Sequence, residues 1–263
     1  MIAYDDWYTA KTRPGASVQR RTLTIIDSAD LDPTSSYKLL IGTVLPRAIA
    51  WVSTRSTDGV GNIAPVSFFT VVGRMPPMLS ISLQPRADGE TLKDTYLNIR
   101  DTGEFVINMT TLENAHRVHR SAFEFASDVD EFEALGLTKG NCEVISAPRI
   151  LEAPVAFECT VDRIIPTPPL PDHVVWGRVE RFHIRDDLYL PGGRIDVGAT
   201  GAFGRLAAEY TLVDNIFTTP LADEVVEHWR THRAPRLDDR PADYSPLDTT
   251  AWSPSGSTTG EQE

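Results

Sequence analysis

Apolar and polar residues fall in short alternating runs along most of this chain, the pattern of strands rather than of long helices. Residues 48–53 read Ala-Ile-Ala-Trp-Val-Ser, a β-rich run, and residues 57–62 behind it supply turn glycines able to take positive φ. Residues 63–69 return as a second strand, with Pro65 suited to an edge or a bulge. Residues 78–83 alternate after the Pro76-Pro77 break, and residues 104–108 form a further short strand. Two longer β segments, 155–165 and 173–185, flank residues 166–171, which are too rich in proline for ladder hydrogen bonds and are expected as a loop. Helical patterns cover residues 94–101, stopped by Gly103, then 111–125, and 131–136, which ends at its glycine. Many short strands, frequent turns and few helices predict a mainly β fold, a closed antiparallel barrel with peripheral helices. No alternation of strand and helix suggests a doubly wound parallel sheet.

The chain has 263 residues, which suits one large domain or two small ones, and 41% of them are hydrophobic, enough for a sizeable core. With 25 Lys and Arg against 37 Asp and Glu, the formal net charge is −12. That balance argues against a surface built to grip DNA or RNA but leaves room for a local cationic pocket. Two cysteines, Cys142 and Cys159, are too few for a disulfide scaffold or a Cys-rich metal site, and are expected as reduced thiols. No stretch approaches the ~18 uninterrupted apolar residues of a membrane span. Residues 1–22 carry Asp5, Asp6, Lys11, Arg13, Arg20 and Arg21 without the apolar run of a secretory signal, so a cytoplasmic protein is expected. From Pro235 on, prolines, serines and acids dominate. A mobile tail or a docked arm is expected there, with Trp252 favouring docking.

The search for chemistry starts with absences. The glycines Gly198, Gly201 and Gly204 lack G-x-G-x-x-G spacing, and neither a Walker loop nor a G-x-S-x-G elbow occurs. His228 and His232 stand at i, i+4, but Trp229 replaces the Glu that a zinc protease needs, so they read as exposed helix histidines. His116 and His119, beside Arg117 and Arg120, read as a solvated cationic face, with contact to an anion as the alternative. Residues 46–95 differ, because strands and turns gather their polar groups. Ser53 and Thr54 end a strand, Asn62 follows the turn, Ser67 lies in the return strand, and Lys93, Asp94 and Thr95 open a helix. Hydroxyls, a cation and a helix start with its free N–H groups are what a phosphate monoester requires. The plain alternative is a helix capped by Asp94 or Thr95 next to a surface lysine.

Taken in order, these residues resemble a known family. Pro46-Arg-Ala-Ile-Ala-Trp-Val-Ser-Thr54, Gly61-Asn62, Ala64-Pro65-Val-Ser67-Phe-Phe69, Pro76-Pro77 and Leu92-Lys-Asp-Thr95 are similar to the flavin reductase-like family, which has the FMN-binding split β-barrel fold. The likeness continues through Asn98-Ile, Thr102-Gly-Glu-Phe-Val-Ile-Asn108, Phe132-Glu-Ala-Leu-Gly-Leu-Thr138, Pro148-Arg-Ile, Phe157-Glu-Cys159 and Gly177-Arg-Val, and reaches Gly204-Arg-Leu before Tyr210. Residues 1–34 then read as an N-terminal extension, 35–222 as the barrel domain, and 223–263 as a C-terminal helix and tail.

The resemblance implies FMN with its phosphate near Lys93 and Thr95 and its ribityl chain near Ser53 and Thr54. It places Asn62, Ala64, Ser67 and neighbouring backbone at the isoalloxazine. Arg47 is a further candidate, for phosphate or for a partner. The implied activity is that of an FMN-dependent oxidoreductase taking a hydride from NADH or NADPH and passing electrons to oxygen, a second flavin or a partner protein. No side chain is required as acid, base or nucleophile, and no metal site is expected. Homodimers are implied. Two alternatives stay open: an electron carrier of the same fold fed by a protein partner, and a barrel that binds another ligand without catalysis.

Overall fold

The computed structural model describes residues 23–213. The expectations for residues 1–22 and for the C-terminal helix and tail, with His228, His232 and Trp252, lie outside the described residues. The chain divides into two units, Tyr37–Asp214 and a second made of Met1–Ser36 with Asn215–Glu263; the site described below lies in the first. The elements of the described residues include helix α1 (Pro33–Thr43), then strands β1 (Ala50–Arg55), β2 (Gly61–Val66), β3 (Phe69–Arg74) and β4 (Pro77–Leu83). Helix α2 (Asp94–Thr102), β5 (Glu104–Met109), α3 (Ala115–Arg120) and α4 (Glu131–Leu135) follow. The two-residue strands β6 (Lys139–Gly140) and β7 (Arg149–Ile150) precede the long hairpin of β8 (Val155–Thr167) and β9 (Asp172–Ile184). Short pairs, β10 (Tyr189–Leu190) with β11 (Arg194–Ile195) and β12 (Phe203–Arg205) with β13 (Tyr210–Leu212), complete the list.

Seven strands form one sheet in the order β2-β1-β5-β8-β9-β4-β3, every pair antiparallel. β2 and β3 are consecutive in the chain, joined only by Ser67 and Phe68, yet stand at opposite ends of the ladder. The sheet therefore curls until its end strands meet. Among the described residues no ladder pairing joins β2 to β3, and the corner is held by Ser82 N–H donating to the Phe68 carbonyl (2.9 Å). This is a split barrel. The expected single strand over 63–69 is two strands, because the chain must turn at Ser67-Phe68 to pass from one end of the sheet to the other.

β1 is buried on both faces, which explains its near-continuous apolar run. On one face Ala50 and Val52 join Ile81, Phe105, Ile107, Cys159 and Val175 in the main core, to which α2 contributes Tyr96 and Ile99. On the other, Trp51 packs with Ile63, Val118, Phe132, Ile150 and Phe203, and its Nε1 donates to Ser121 Oγ (2.9 Å). That bond also explains why the helix expected over 111–125 is short. Ser121 turns its hydroxyl back to the Val118 carbonyl (2.8 Å) and closes α3 after Arg120. α2 and α4 end where expected, at Gly103 and Gly136 with φ of 72° and 62°. The proline-rich link is shorter than expected: Pro166 and Thr167 remain in β8, opposite His173 and Asp172. Beyond Thr160 only β9 pairs with β8, so an N–H can face away from the ladder and proline is tolerated there.

Candidate functional site

Two adjoining hollows open along β2 and the corner that follows it, the seam of the barrel. The smaller, about 80 Å³, lies between Asn62–Pro65 of β2, the start of α2 at Lys93–Thr95, Arg86, residues 121–125 and Glu131. The larger, about 230 Å³, runs past the corner at residues 64–68 and residues 82–84 to Arg47, His119, Arg205 and Tyr210. Ala64, Pro65, Lys93, Thr95 and Ala122 line both.

α2 begins without a side-chain cap. Lys93 is its N-cap residue, with extended backbone (φ −70°, ψ 149°) and no capping hydrogen bond from its side chain. Tyr96 N–H is taken by the Lys93 carbonyl (2.9 Å), so the N–H groups of Asp94 and Thr95 and the positive end of the helix dipole are what α2 offers at the hollow, beside the Lys93 ammonium. Burial holds Lys93 below the ordinary lysine pKa, partly offset by Glu124. Asp94 does not quench this cationic end, because its carboxylate is drawn to Arg86 Nη2 (2.6 Å) and to the Ser127 hydroxyl (2.9 Å). Arg86 also donates to the Phe125 carbonyl (3.3 Å).

A buried polar chain forms the adjoining wall. Asn62 Nδ2 donates to Glu131 Oε1 (2.9 Å), while its oxygen accepts from Thr95 Oγ1 (2.9 Å) and from Ile63 N–H (3.2 Å). Ile63 N–H also reaches Glu131 Oε2 (3.2 Å). Only 6% exposed, Glu131 has its carboxyl pushed up to about 8, first by burial and further by Asp94 and Asp130. Asp130 beside it accepts from Gly61 N–H (3.1 Å) and pairs with Lys139, so the start of α4 clasps β2 at two places.

The structure brings Asn62, Ala64, Ser67, Lys93 and Thr95 together along the hollows, with Arg47 at the larger one. Arg47 is spent on the fold: its guanidinium donates to the carbonyls of Ile41 (2.7 Å), Val44 (3.0 Å) and Leu206 (2.7 Å) and reaches Ser67 Oγ (3.5 Å). Ser53 and Thr54 lie apart from the hollows and are fully buried. Ser53 donates to the Pro148 carbonyl (2.6 Å) and accepts from Asn108 Nδ2 (3.0 Å), and Thr54 accepts from Asn98 Nδ2 (3.0 Å). Thr54 stands opposite Asn62 in the ladder, so both residues support the wall from behind.

Sequence reasoning passed over Arg86 and Glu131, named Tyr210 only as the end of the family likeness, and read His119 as part of a solvated cationic face with contact to an anion as the alternative. His119 Nδ1 lies 3.3 Å from the Tyr210 hydroxyl at the larger hollow, with the Arg205 guanidinium stacked 4.7 Å from the Tyr210 ring centroid. Only the position of His119 next to a cationic run hinted at this. Arg86 sits in an ordinary turn sequence, and Glu131 reads as a helix-start acid.

Comparison with known proteins identifies the family and the fold. Residues 42–195 match the model of the flavin reductase like domain. An uncharacterised protein of Aquifex aeolicus is 41% identical over 181 residues, 69% of this chain and 91% of that one. Among solved structures, nitrilotriacetate monooxygenase component B of Bacillus cereus superposes with a TM-score of 0.71 at 32% identity, covering 75% of this chain and 99% of its own. The 2-nitrobenzoate 2-nitroreductase of Pseudomonas fluorescens gives 0.68 at 28%, covering 76% and 97%. The matched span runs from the end of α1 to the end of β11 and holds Asn62, Ala64, Ser67, Lys93 and Thr95, while Arg205 and Tyr210 of the larger hollow follow it: the chain belongs to the flavin reductase-like family.

Proposed function

We propose that this chain binds FMN along the seam and works as an FMN-dependent oxidoreductase reduced by NADH or NADPH. The observation that carries the reading is the uncapped start of α2, where Lys93 and free N–H groups face a hollow that widens past Ala64 and Ser67. That donor set fits a phosphate monoester at one end and a planar, partly polar ring at the other. When bound, FMN supplies hydride acceptance and onward electron transfer; the chain supplies binding and orientation. Lys93 and the α2 N–H groups hold the phosphate. Thr95 and Asn62, fixed by Glu131, set the polar wall. Ala64, Ser67 and the seam backbone meet the ring, and Arg47 pins the corner that shapes the larger hollow. Ser53 and Thr54 act as anchors of β1 and β2, not as ribityl contacts. The names of the Bacillus and Pseudomonas relatives, a monooxygenase component and a nitroreductase, support redox chemistry.

The test is anaerobic mixing of the flavin-loaded protein with NADH and NADPH. Bleaching of the visible flavin band within seconds is expected with at least one of them. Failure to bind FMN would overturn the reading, whereas flavin that binds and is bleached by neither would make the chain a carrier fed by a protein partner. We also propose a homodimer. The end strand β3 and the turn after it leave Val71, Val72 and Met75 at 69%, 43% and 90% exposure, an apolar edge that a second copy would cover. Light scattering that gave only a flavin-loaded monomer at micromolar concentration would refute this.

A further inference from the structure

Away from the seam, three metal-ligating side chains of different chemistry converge. Cys142 lies between β6 and β7, Glu158 in β8 and His183 in β9, and one donor atom from each lies within 4.8 Å of the others. Glu158 is fully buried and held rigidly: Oε1 accepts from Glu143 N–H (2.9 Å) and lies 2.5 Å from His183 Nε2, and Oε2 accepts from Val144 N–H (2.8 Å). A carboxylate offers about four acceptor sites, so one remains on Oε2. His183 is its one ion-pair partner among the described residues. The same two backbone N–H groups fix the segment that carries Cys142 against β8.

A thiol, an imidazole and a carboxylate form a borderline-soft donor set that suits zinc and not magnesium or calcium. We propose that Cys142, Glu158 and His183 form a zinc site, with water as the fourth ligand. The ion replaces the Glu158–His183 hydrogen bond by two metal bonds, opening that pair to roughly the 3.3 Å edge of a tetrahedron with bonds of about 2.0 Å. His183, with 21% of its side chain exposed, and half-buried Cys142 turn to meet the ion, while Glu158 stays fixed. The thiol proton leaves to solvent as the sulfur–zinc bond forms, and the proton between Glu158 and His183 Nε2 is given up as well, the neutral imidazole carrying its remaining proton on Nδ1. A hollow lined by Asn141, Cys142, Glu143 and Ser146 reaches the Cys142 side of the cluster, and it shares no lining residue with the two hollows of the seam. Zinc here staples the segment between β6 and β7 to the β8–β9 hairpin and takes no part in redox chemistry.

The experiment uses the full chain, stripped with a chelator and then titrated with Zn²⁺ against a chromogenic competitor and with Co²⁺ by absorbance. One saturable equivalent is expected, with tetrahedral cobalt bands, a thiolate-to-cobalt charge-transfer band, and a zinc-dependent rise in melting temperature. Cys142→Ser, which leaves the Glu158–His183 pair intact, should abolish the charge-transfer band. It should also weaken zinc by more than the ~10–100-fold typical of losing an outer partner. His183→Gln, read by its loss of zinc affinity alone because the thiolate remains, stands in if the serine variant does not fold. No saturable uptake, or uptake unchanged in these variants, overturns the proposal; the latter would move the ion to other ligands such as His228 and His232.

Discussion

Lys93→Ala probes the phosphate end of the proposed site with little disturbance elsewhere. The change removes one charge-assisted contact, while the N–H groups at the start of α2 remain. Arg86 does not move in to compensate, since it is tied to Asp94 at 2.6 Å and to the Phe125 carbonyl. A hydrogen bond to a charged group contributes ~1.5–3 kcal/mol, so FMN should bind roughly 10- to 150-fold more weakly. Riboflavin, which lacks the phosphate, should bind wild type and variant about equally. The assay is a fluorescence-quenching titration with both flavins on both proteins. Unchanged FMN affinity, or an equal loss for riboflavin, would refute the phosphate assignment. Thr95→Val is a poorer probe: Thr95 is 2% exposed and its hydroxyl belongs to the chain with Asn62 and Glu131, so stability and affinity would change together.

Ser53→Ala should cost ~1–2 kcal/mol of stability by denaturant unfolding and leave FMN affinity within about twofold; a large affinity loss would return Ser53 to the flavin. At Gly177 an added Cβ would meet Phe105 Cζ at 2.3 Å and Cys159 Cβ at 3.3 Å, so Gly177→Ala should destabilise by ~1–3 kcal/mol, and an unchanged melting temperature would contradict that packing. Glu131, ordinarily near 4.5, is raised to about 8 in the fold, so the native state binds the extra proton and stability contributed by neutral Glu131 is lost as pH rises from about 4.5 to about 8. Glu131→Gln removes that titration, so its stability relative to wild type should climb by at least ~1 kcal/mol between pH 5 and 8. A flat difference across that window would show that Glu131 does not titrate there.

The strands were legible because burial on one or both faces leaves a periodic trace. β1 shows this most clearly, since both of its faces are cored. The end of α2 was legible from Gly103, whose left-handed conformation is a local requirement. The corner at Ser67-Phe68 was not, because nothing local distinguishes a strand that continues from one that leaves for the far edge of its own sheet. Helix α3 was overextended for a related reason: its end is set by Ser121 meeting Trp51, seventy residues away. At the site, Lys93 and Asn62 could be found because turn and helix signals surround them. Glu131 and Tyr210 could not, since their roles depend on groups that only the closed barrel brings near.

The ladder order also has a consequence for how the chain is made. β4 completes its pairing only with β9, Leu83 opposite His173 and Met78 opposite Arg178, 90 and 100 residues downstream. At typical synthesis rates of ~5–20 residues per second, a nascent chain would wait roughly 5–20 s with the β4 edge open. That edge reads Met-Leu-Ser-Ile-Ser-Leu, an uncharged alternating run of the kind that pairs readily with other chains. The emerging polypeptide should therefore be most prone to aggregation before β9 leaves the ribosome, and a fragment ending between β8 and β9 should be insoluble where the full chain is not.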